Sequence, residues 1–385
     1  MYSRTPYLFS NWRDYLPVAT TGILPSQAIS EAVGAGHIFA PIPITTDQIQ
    51  PSSIDLRLGA VAYRVRASFL PKPGSTILEK LDQSQLYELD LSQSRVLERG
   101  CAYIVPLMEE LRLPAGYAGK ANPKSSTGRI DVFTRLITDF GGDFETVPDG
   151  YKGKLYTEIV PRTFSIVVRA GDRLNQLRLR RGKPQPANTV LSRLHDEETL
   201  VYIDDQSAAT PVIEEKSLWL SVDLSGDDTS GLIGYKARKN APLIDLSQVN
   251  CYDVLDYWEP IYRNKGRNLI LDPRDFYILA SKEKVRIPPD YAAEMLPYDP
   301  SVGEFRIHYA GFFDPGFGYG ADDVKGTHAV LEVRSHEVPF LLEDGQVVAG
   351  LEYHQLLEVP DKLYGQGIGS SYQHQRLALS KHFKR

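Results

Sequence analysis

Three segments of the 385-residue chain carry side chains that could do chemistry. The densest is Asn122-Pro123-Lys124-Ser125-Ser126-Thr127-Gly128-Arg129. It combines two cations, a pair of serine hydroxyls and a glycine that lets the backbone approach closely. Arg offers a bidentate fork and Lys a point charge, so the cluster suits a triphosphate. A solvated turn would have the same composition. The second segment, Gly150-Tyr151-Lys152-Gly153-Lys154-Leu155-Tyr156-Thr157-Glu158, sets a lone carboxylate in an apolar strand. Alternation puts Leu155, Thr157 and Ile159 on the face opposite Tyr156 and Glu158. Such a Glu is either exposed or held for a purpose, and burial would raise its pKa. The third segment, Gln48 to Gly59, reads Gln-Ile-Gln-Pro-Ser-Ser-Ile-Asp-Leu-Arg-Leu-Gly.

Several common chemistries leave no trace. There is no P-loop lysine, no Gly-x-Gly-x-x-Gly opening a helix, no Gly-x-Ser-x-Gly elbow and no His-Glu-x-x-His. His195-Asp196-Glu197 matches half of the zinc-deaminase signature, but no Pro-Cys-x-x-Cys accompanies it. A zinc-bound water is therefore not expected, and His195 reads as a surface residue. Cys101 and Cys251 are the two cysteines, which suits a reducing cytoplasm. Lys plus Arg number 43 against 49 Asp plus Glu, a net charge of −6, so no duplex nucleic-acid partner is expected. Apolar runs are only a handful of residues long, and no signal peptide is visible, so neither membrane nor export is expected.

The elements that must position these residues occur twice. Leu97 to Val105 resembles Leu271 to Leu279, with Tyr103 matching Tyr277 at an offset of 174. The same offset relates Pro114 to Pro288, Glu158 to Glu332, Gly171 to Gly345 and Leu177 to Leu351. Two homologous β domains follow: residues 1–190, then an acidic linker at 191–228, then 229–385. Ser26 is placed to cap a short helix over 27–36, with Ile29, Ala32 and Val33 on one face. Strand patterns start at Val61, Tyr103, Lys154, Phe164 and Leu174, each bounded by Gly, Pro or Asp. With 30 Gly, 26 Pro and 22 Tyr, the chain reads as short strands and tight turns in a sandwich or barrel.

Together the three segments resemble the dCTP deaminase branch of the dUTPase-like superfamily. The resemblance runs from about residue 22 to 180. It rests on the strand motif at 50–59, Leu113-Pro114, Lys124 to Arg129, the Tyr151-x-Gly153 hairpin, Glu158, and Ala170 to Leu177 with Gln176. It implies two tandem β-clip barrels, mainly β with a few short helices. It also implies hydrolytic deamination of dCTP to dUTP and ammonia without zinc. Glu158 would activate the water and Ser125 position it. Lys124, Ser126, Thr127, Gly128 and Arg129 would hold phosphates, with Mg2+ carried on the triphosphate. Tyr151, Tyr156, Thr157 and Gln176 would frame the sugar and base. A homo-oligomer, a trimer by family habit, is implied.

The second repeat resembles the family less evenly. Asp314-Pro315-Gly316-Phe317 matches the family hairpin better than Pro148-Asp149-Gly150-Tyr151 does, so Asp314 could serve the first repeat. Glu304 stands where a phosphate-binding Arg belongs, which reads as a lost phosphate site and leaves Glu332 structural. Lys362 and Gln366 resemble the family's nucleotide-closing lid. Two other readings stay open. One is a dUTP diphosphatase, or an enzyme of both steps, against which Pro148 speaks. The other is a nucleotide-binding regulator without turnover.

Overall fold

The computed structural model describes residues 20–183, 188–204, 207–227, 229–297, 305–307, 311–319, 325–335, 337–365 and 377–385. The two repeats fold as copies of one β unit. In the first, Gln85–Asp90, Val61–Val65, Ala102–Arg112, Lys152–Pro161 and Val132–Thr138 lie side by side in one antiparallel sheet. In the second, Trp258–Tyr262, Leu232–Ala237, Phe276–Val285, Thr327–Ser335 and Phe305–Ile307 follow the same order. The companion sheets are also equivalent. Arg173–Arg181 pairs with Tyr117–Pro123, as Val347–Gln355 pairs with Tyr291–Pro297. Even a side-chain bond is repeated. The Tyr103 hydroxyl accepts from the Glu98 amide at 3.1 Å, and Tyr277 from the Asp272 amide at 2.9 Å.

Among the described residues five helices accompany the sheets: α1 (Ser26–Gly34), α2 (Ile77–Ser84), α3 (Ser125–Gly128), α4 (Asn188–Glu198) and α5 (Val254–Tyr257). Helix α1 lies where expected, with Ile29 and Ala32 buried, but Ser26 is its first helical residue and Pro25 takes the cap position. Helix α2 starts with a capping box, in which Thr76 accepts from the Glu79 amide and Glu79 from the Thr76 amide.

The stretch 191–228 is not a linker. Helix α4 and the strands Val201–Tyr202, Val212–Glu214 and Ser217–Ser221 belong to the second unit. Leu191, Leu194, Leu200, Leu218, Leu220 and Leu224 are buried in its core. Asp196, Glu197 and Glu198, part of the acidic signal that suggested a linker, lie in α4, whose Leu191 and Leu194 are buried. The second unit therefore starts at α4.

The repeats are fused through a continuous core. Leu97, Phe164 and Ile166 of the first unit share one buried cluster with Trp258, Phe276, Ile278, Val330 and Phe383 of the second. Trp258 is fully buried and meets the rings of Phe164, Phe276 and Phe383 at 5.6–6.0 Å between centroids. Such ring pairs contribute about 0.5–1.5 kcal/mol each beyond the area they bury. Ile244–Asp245 also adds a parallel strand to Ile166–Val168 across the junction. Around Trp258 the junction is packed like a domain interior, which fixes side chains of one repeat against the other.

Candidate active site

Helix α3 presents the phosphate-type cluster. The strand Tyr117–Pro123 ends at Lys124, whose extended backbone serves as the α3 cap position. Ser126, Thr127, Gly128 and Arg129 are buried. The Ser125 hydroxyl is half-buried and makes no hydrogen bond with another described residue. Lys124 pairs with Asp55, which the strand Ile54–Arg57 holds in place. That strand is pinned by a buried pair, with Arg57 Nε 2.7 Å from Glu109 Oε1. Ser53 Oγ donates to Gln176 at 3.3 Å, so Gln176 braces the same strand.

The carboxylate facing this helix comes from the other repeat. Arg129 Nε lies 3.8 Å from Glu332 Oε1, both side chains being less than 10% exposed (9% and 7%). Burial pushes the Glu332 carboxyl up to about 7, against the opposing pull of the Arg129 charge. A carboxyl poised near neutrality can both take and return a proton at working pH. Asp314 also reaches across the junction. It accepts from Ser52 Oγ at 2.6 Å and lies 3.7 Å from Arg178. Burial raises its pKa, and Arg178 opposes that rise.

The chain's last residues complete the site. Ser380 Oγ donates to the Ser126 carbonyl at 2.7 Å, and Arg129 donates to the Ala378 carbonyl at 3.1 Å. Lys381 stands in the field of Lys124, Asp55 and Arg173. Burial first, then the Lys124 charge, holds its pKa below the usual lysine value. The structure therefore brings α3, a carboxyl from the second repeat and a lysine from the tail near one another.

Glu158 is elsewhere. It is fully buried, and its Oε1 accepts from Arg135 Nε at 3.0 Å rather than from any residue of 124–129. The Arg135 guanidinium lies over Phe133 and Phe144 and donates to Ser68 Oγ. Tyr156, on the same face, packs with Val65, Ile77 and Leu81, two of them from α2. In the first repeat α2 closes this face. In the second the equivalent face, with Ile278 and Val330, meets the first repeat. Within one chain Glu158 and Ser125 do not meet, and the carboxyl that lies beside Arg129 is Glu332 of the other repeat.

Other expected residues also sit apart from the Arg129–Glu332 pair. Tyr151 is buried in its own hairpin, where its hydroxyl donates to the Lys154 carbonyl at 2.6 Å. Thr157 donates to Asn175 inside the core. Lys362 donates to the carbonyls of Thr46 and Ile49. Gln366 and Glu304 lie outside the described residues.

The comparisons with known proteins agree with this two-unit build. The family model described as the 2'-deoxycytidine 5'-triphosphate deaminase N-terminal domain matches residues 20–183. The model of that family's C-terminal domain matches residues 187–383. The chain belongs to the 2'-deoxycytidine 5'-triphosphate (dCTP) deaminase family. A crystal structure of 2'-deoxycytidine 5'-triphosphate deaminase from Agrobacterium tumefaciens is similar at 52% identity and a TM-score of 0.83. That match covers 88% of this chain and 100% of the other. A relative from Corynebacterium kroppenstedtii, named "dCTP deaminase, dUMP-forming", is 29% identical over 137 residues, 36% of this chain and 69% of the relative. A relative from Natronomonas pharaonis, named "dCTP deaminase", is 29% identical over 126 residues, 32% of this chain and 60% of its own length.

Sequence reasoning passed over two residues that the structure places beside α3 and Lys124. Glu332 was located by the repeat offset but set aside, because its own repeat had lost the phosphate-binding Arg. A site built across repeats removes that reason. Lys381 had a weaker signal, a cluster of Lys381, Lys384 and Arg385 at the C-terminus.

Proposed function

We propose that this dCTP deaminase converts dCTP and water to dUTP and ammonia at a site formed between its two repeats. The observation that carries the reading is the Arg129–Glu332 pair, which joins the phosphate-type helix of one repeat to a carboxyl poised near neutral pH in the other. Ionised Glu332 takes a proton from a water whose oxygen attacks C4 of cytosine. Protonated Glu332 returns that proton to the ring nitrogen. Glu332, ionised again, takes the C4 hydroxyl proton and passes it to the exocyclic amino group; the bond from C4 to that nitrogen breaks, ammonia leaves, and the C4 oxygen becomes the uracil carbonyl. General acid–base catalysis of this kind is worth about 10²–10⁴-fold. The Ser125 hydroxyl is free to orient the water. Fixed dipoles of a dry junction would stabilise the charge that develops on the base.

Lys124, Ser126 and Lys381 would hold the triphosphate. Magnesium is implied as the nucleotide's companion, and the donor set fits that role. Asp55 Oδ1 is buried without a hydrogen-bond partner while Oδ2 pairs with Lys124. A single carboxylate suits an ion held mainly by phosphates, as Mg2+ often is. Asp55 would hold it, and the ion would neutralise phosphate charge. Because one chain supplies both halves of the site, a trimer is an assembly question separate from catalysis. The expected cytoplasmic location likewise stays a proposal. Among the described residues no helix is long and apolar enough to cross a membrane.

A second reading, onward hydrolysis of the nucleotide to dUMP, is favoured by Asp314. It stands three residues before the hairpin aromatic Phe317, the position Pro148 takes before Tyr151, where a carboxylate could activate a water for attack on phosphorus. Its bond to Ser52 and its nearness to Arg178 instead support a locking role, and so dUTP as product. Chromatography of a dCTP reaction decides between them. Equal ammonia and dUTP supports our reading. Ammonia with dUMP and diphosphate overturns the dUTP assignment, and no ammonia overturns deamination.

A further inference from the structure

Outside this site, the junction holds a cleft of about 330 Å³. Six cationic side chains line it, Arg99 and Arg162 from the first repeat and Arg238, Lys239, Arg274 and Arg334 from the second, against a single carboxylate, Asp275. Four of the six have a carboxylate partner, Arg334 in Asp131 and the other three on the rim or beneath it. Arg238 meets Glu259 at 3.1 Å, Arg274 meets Glu337 at 2.7 Å, and Lys239 meets Asp275 at 3.2 Å. The side chains of Arg99 and Arg162 have no hydrogen-bond or ion-pair partner among the described residues. Arg334 is over nine-tenths buried. Its guanidinium donates from one terminal nitrogen to Asp131 and to Thr163 Oγ1 at 2.9 Å and from the other to the Arg274 carbonyl, and only its Nε has no partner among the described residues.

Such an arrangement is unfavourable when empty. Like charges raise each other's free energy, and a buried guanidinium nitrogen without an acceptor carries a desolvation penalty. An anion with several oxygens relieves both. Arginine forks match phosphate oxygens bidentately, so a phosphorylated ligand fits this lining better than a carboxylate does. The volume is at the small end of ligand sites, about 300–1,000 Å³, which favours a compact molecule.

We propose that this cleft is a second anion site, distinct from the deamination site, that takes a compact phosphorylated ligand. Its placement gives it a route to catalysis. Arg334 lies two residues from Glu332 on one strand, and its partner Asp131 lies two residues after Arg129. A phosphate bound by Arg334 competes with Asp131 and so acts on both halves of the Arg129–Glu332 pair. Inorganic phosphate compounds and nucleotides share this chemistry.

The test is equilibrium binding to the full chain, with inorganic diphosphate in one arm and dCMP in the other. It requires no turnover, so its outcome is independent of the deaminase assignment. Wild type is expected to bind diphosphate at two places per chain. Lys124→Ala should weaken one of them. The double variant Arg99→Glu with Arg162→Glu, both exposed positions, should weaken the other at least 10-fold and leave the KM for dCTP unchanged. Diphosphate binding alone in the second class identifies an oligophosphate ligand, and added dCMP binding identifies a nucleotide. A double variant that binds diphosphate like wild type overturns the proposal. So does a wild type whose diphosphate binding is entirely lost in Lys124→Ala.

Discussion

Replacing Arg129 by Gln removes the one cation that opposes the burial-driven rise of Glu332. The guanidinium Nε stands 3.8 Å from the carboxylate. At that distance an effective dielectric of about 20 gives an attraction of roughly 4 kcal/mol. Part of it is recovered by relaxation, and a close opposite charge typically shifts a carboxyl by about one to three pH units. The sign follows from which form the cation favours. Arg129 stabilises ionised Glu332, so its loss moves the carboxyl upward from about 7. At pH 7 the ionised fraction then falls from roughly one-half to between about one-tenth and one-thousandth. The assay is kcat for ammonia release from dCTP across pH, with thermal unfolding to confirm the fold. The acidic limb of the Arg129→Gln profile should move to higher pH, with activity recovering as pH rises. An acidic midpoint unchanged from wild type would refute the reasoning and leave Arg129 a phosphate ligand only.

Three further perturbations have defined outcomes. Lys381→Ala should raise the KM for dCTP by about 10–100-fold with little change in kcat, the loss of one charge-assisted contact. Equal effects on dCTP and deoxycytidine would contradict that, since deoxycytidine has no phosphate. Trp258→Ala should cost about 3–5 kcal/mol of stability in denaturant unfolding, because it empties the aromatic junction between the repeats. Arg178→Met should destabilise by about 3–5 kcal/mol by leaving buried Asp314 without its cation. Adding Asp314→Asn should recover part of that loss in a double-mutant cycle.

The repeat was legible because identical hydrogen-bond registers demand similar residues at equal spacing. Glu158 opposite Ile104 and Glu332 opposite Ile278 are the same place in two copies. The strand Lys152–Pro161 was legible from alternation from Lys154 onward, as were the buried Ile29 and Ala32 of α1. Helix α2 was legible too, since Thr76-x-x-Glu79 before an apolar residue is a capping box, but it falls outside the quoted motifs. That omission mattered, because α2 is what closes the face beside Glu158. The acidic stretch 191–228 misled because Asp196 to Glu198 belong to an amphipathic helix, α4, whose buried Leu191 and Leu194 carry the packing. Which repeat faces which is not a local property. It depends on burial at Phe164, Trp258 and Val330, none of which sits in a motif. The pairing of Arg129 with Glu332 therefore had no sequence signal beyond the repeat offset itself.

The most direct measurement compares Glu332→Gln and Glu158→Gln on dCTP, each checked for folding by thermal unfolding. A general base at Glu332 predicts a fall in kcat of about 10²–10⁴-fold in Glu332→Gln. Glu158→Gln should lose stability through Arg135 while its folded fraction keeps near wild-type kcat. Near wild-type ammonia release from Glu332→Gln, with activity abolished in a folded Glu158→Gln, would contradict the cross-repeat site.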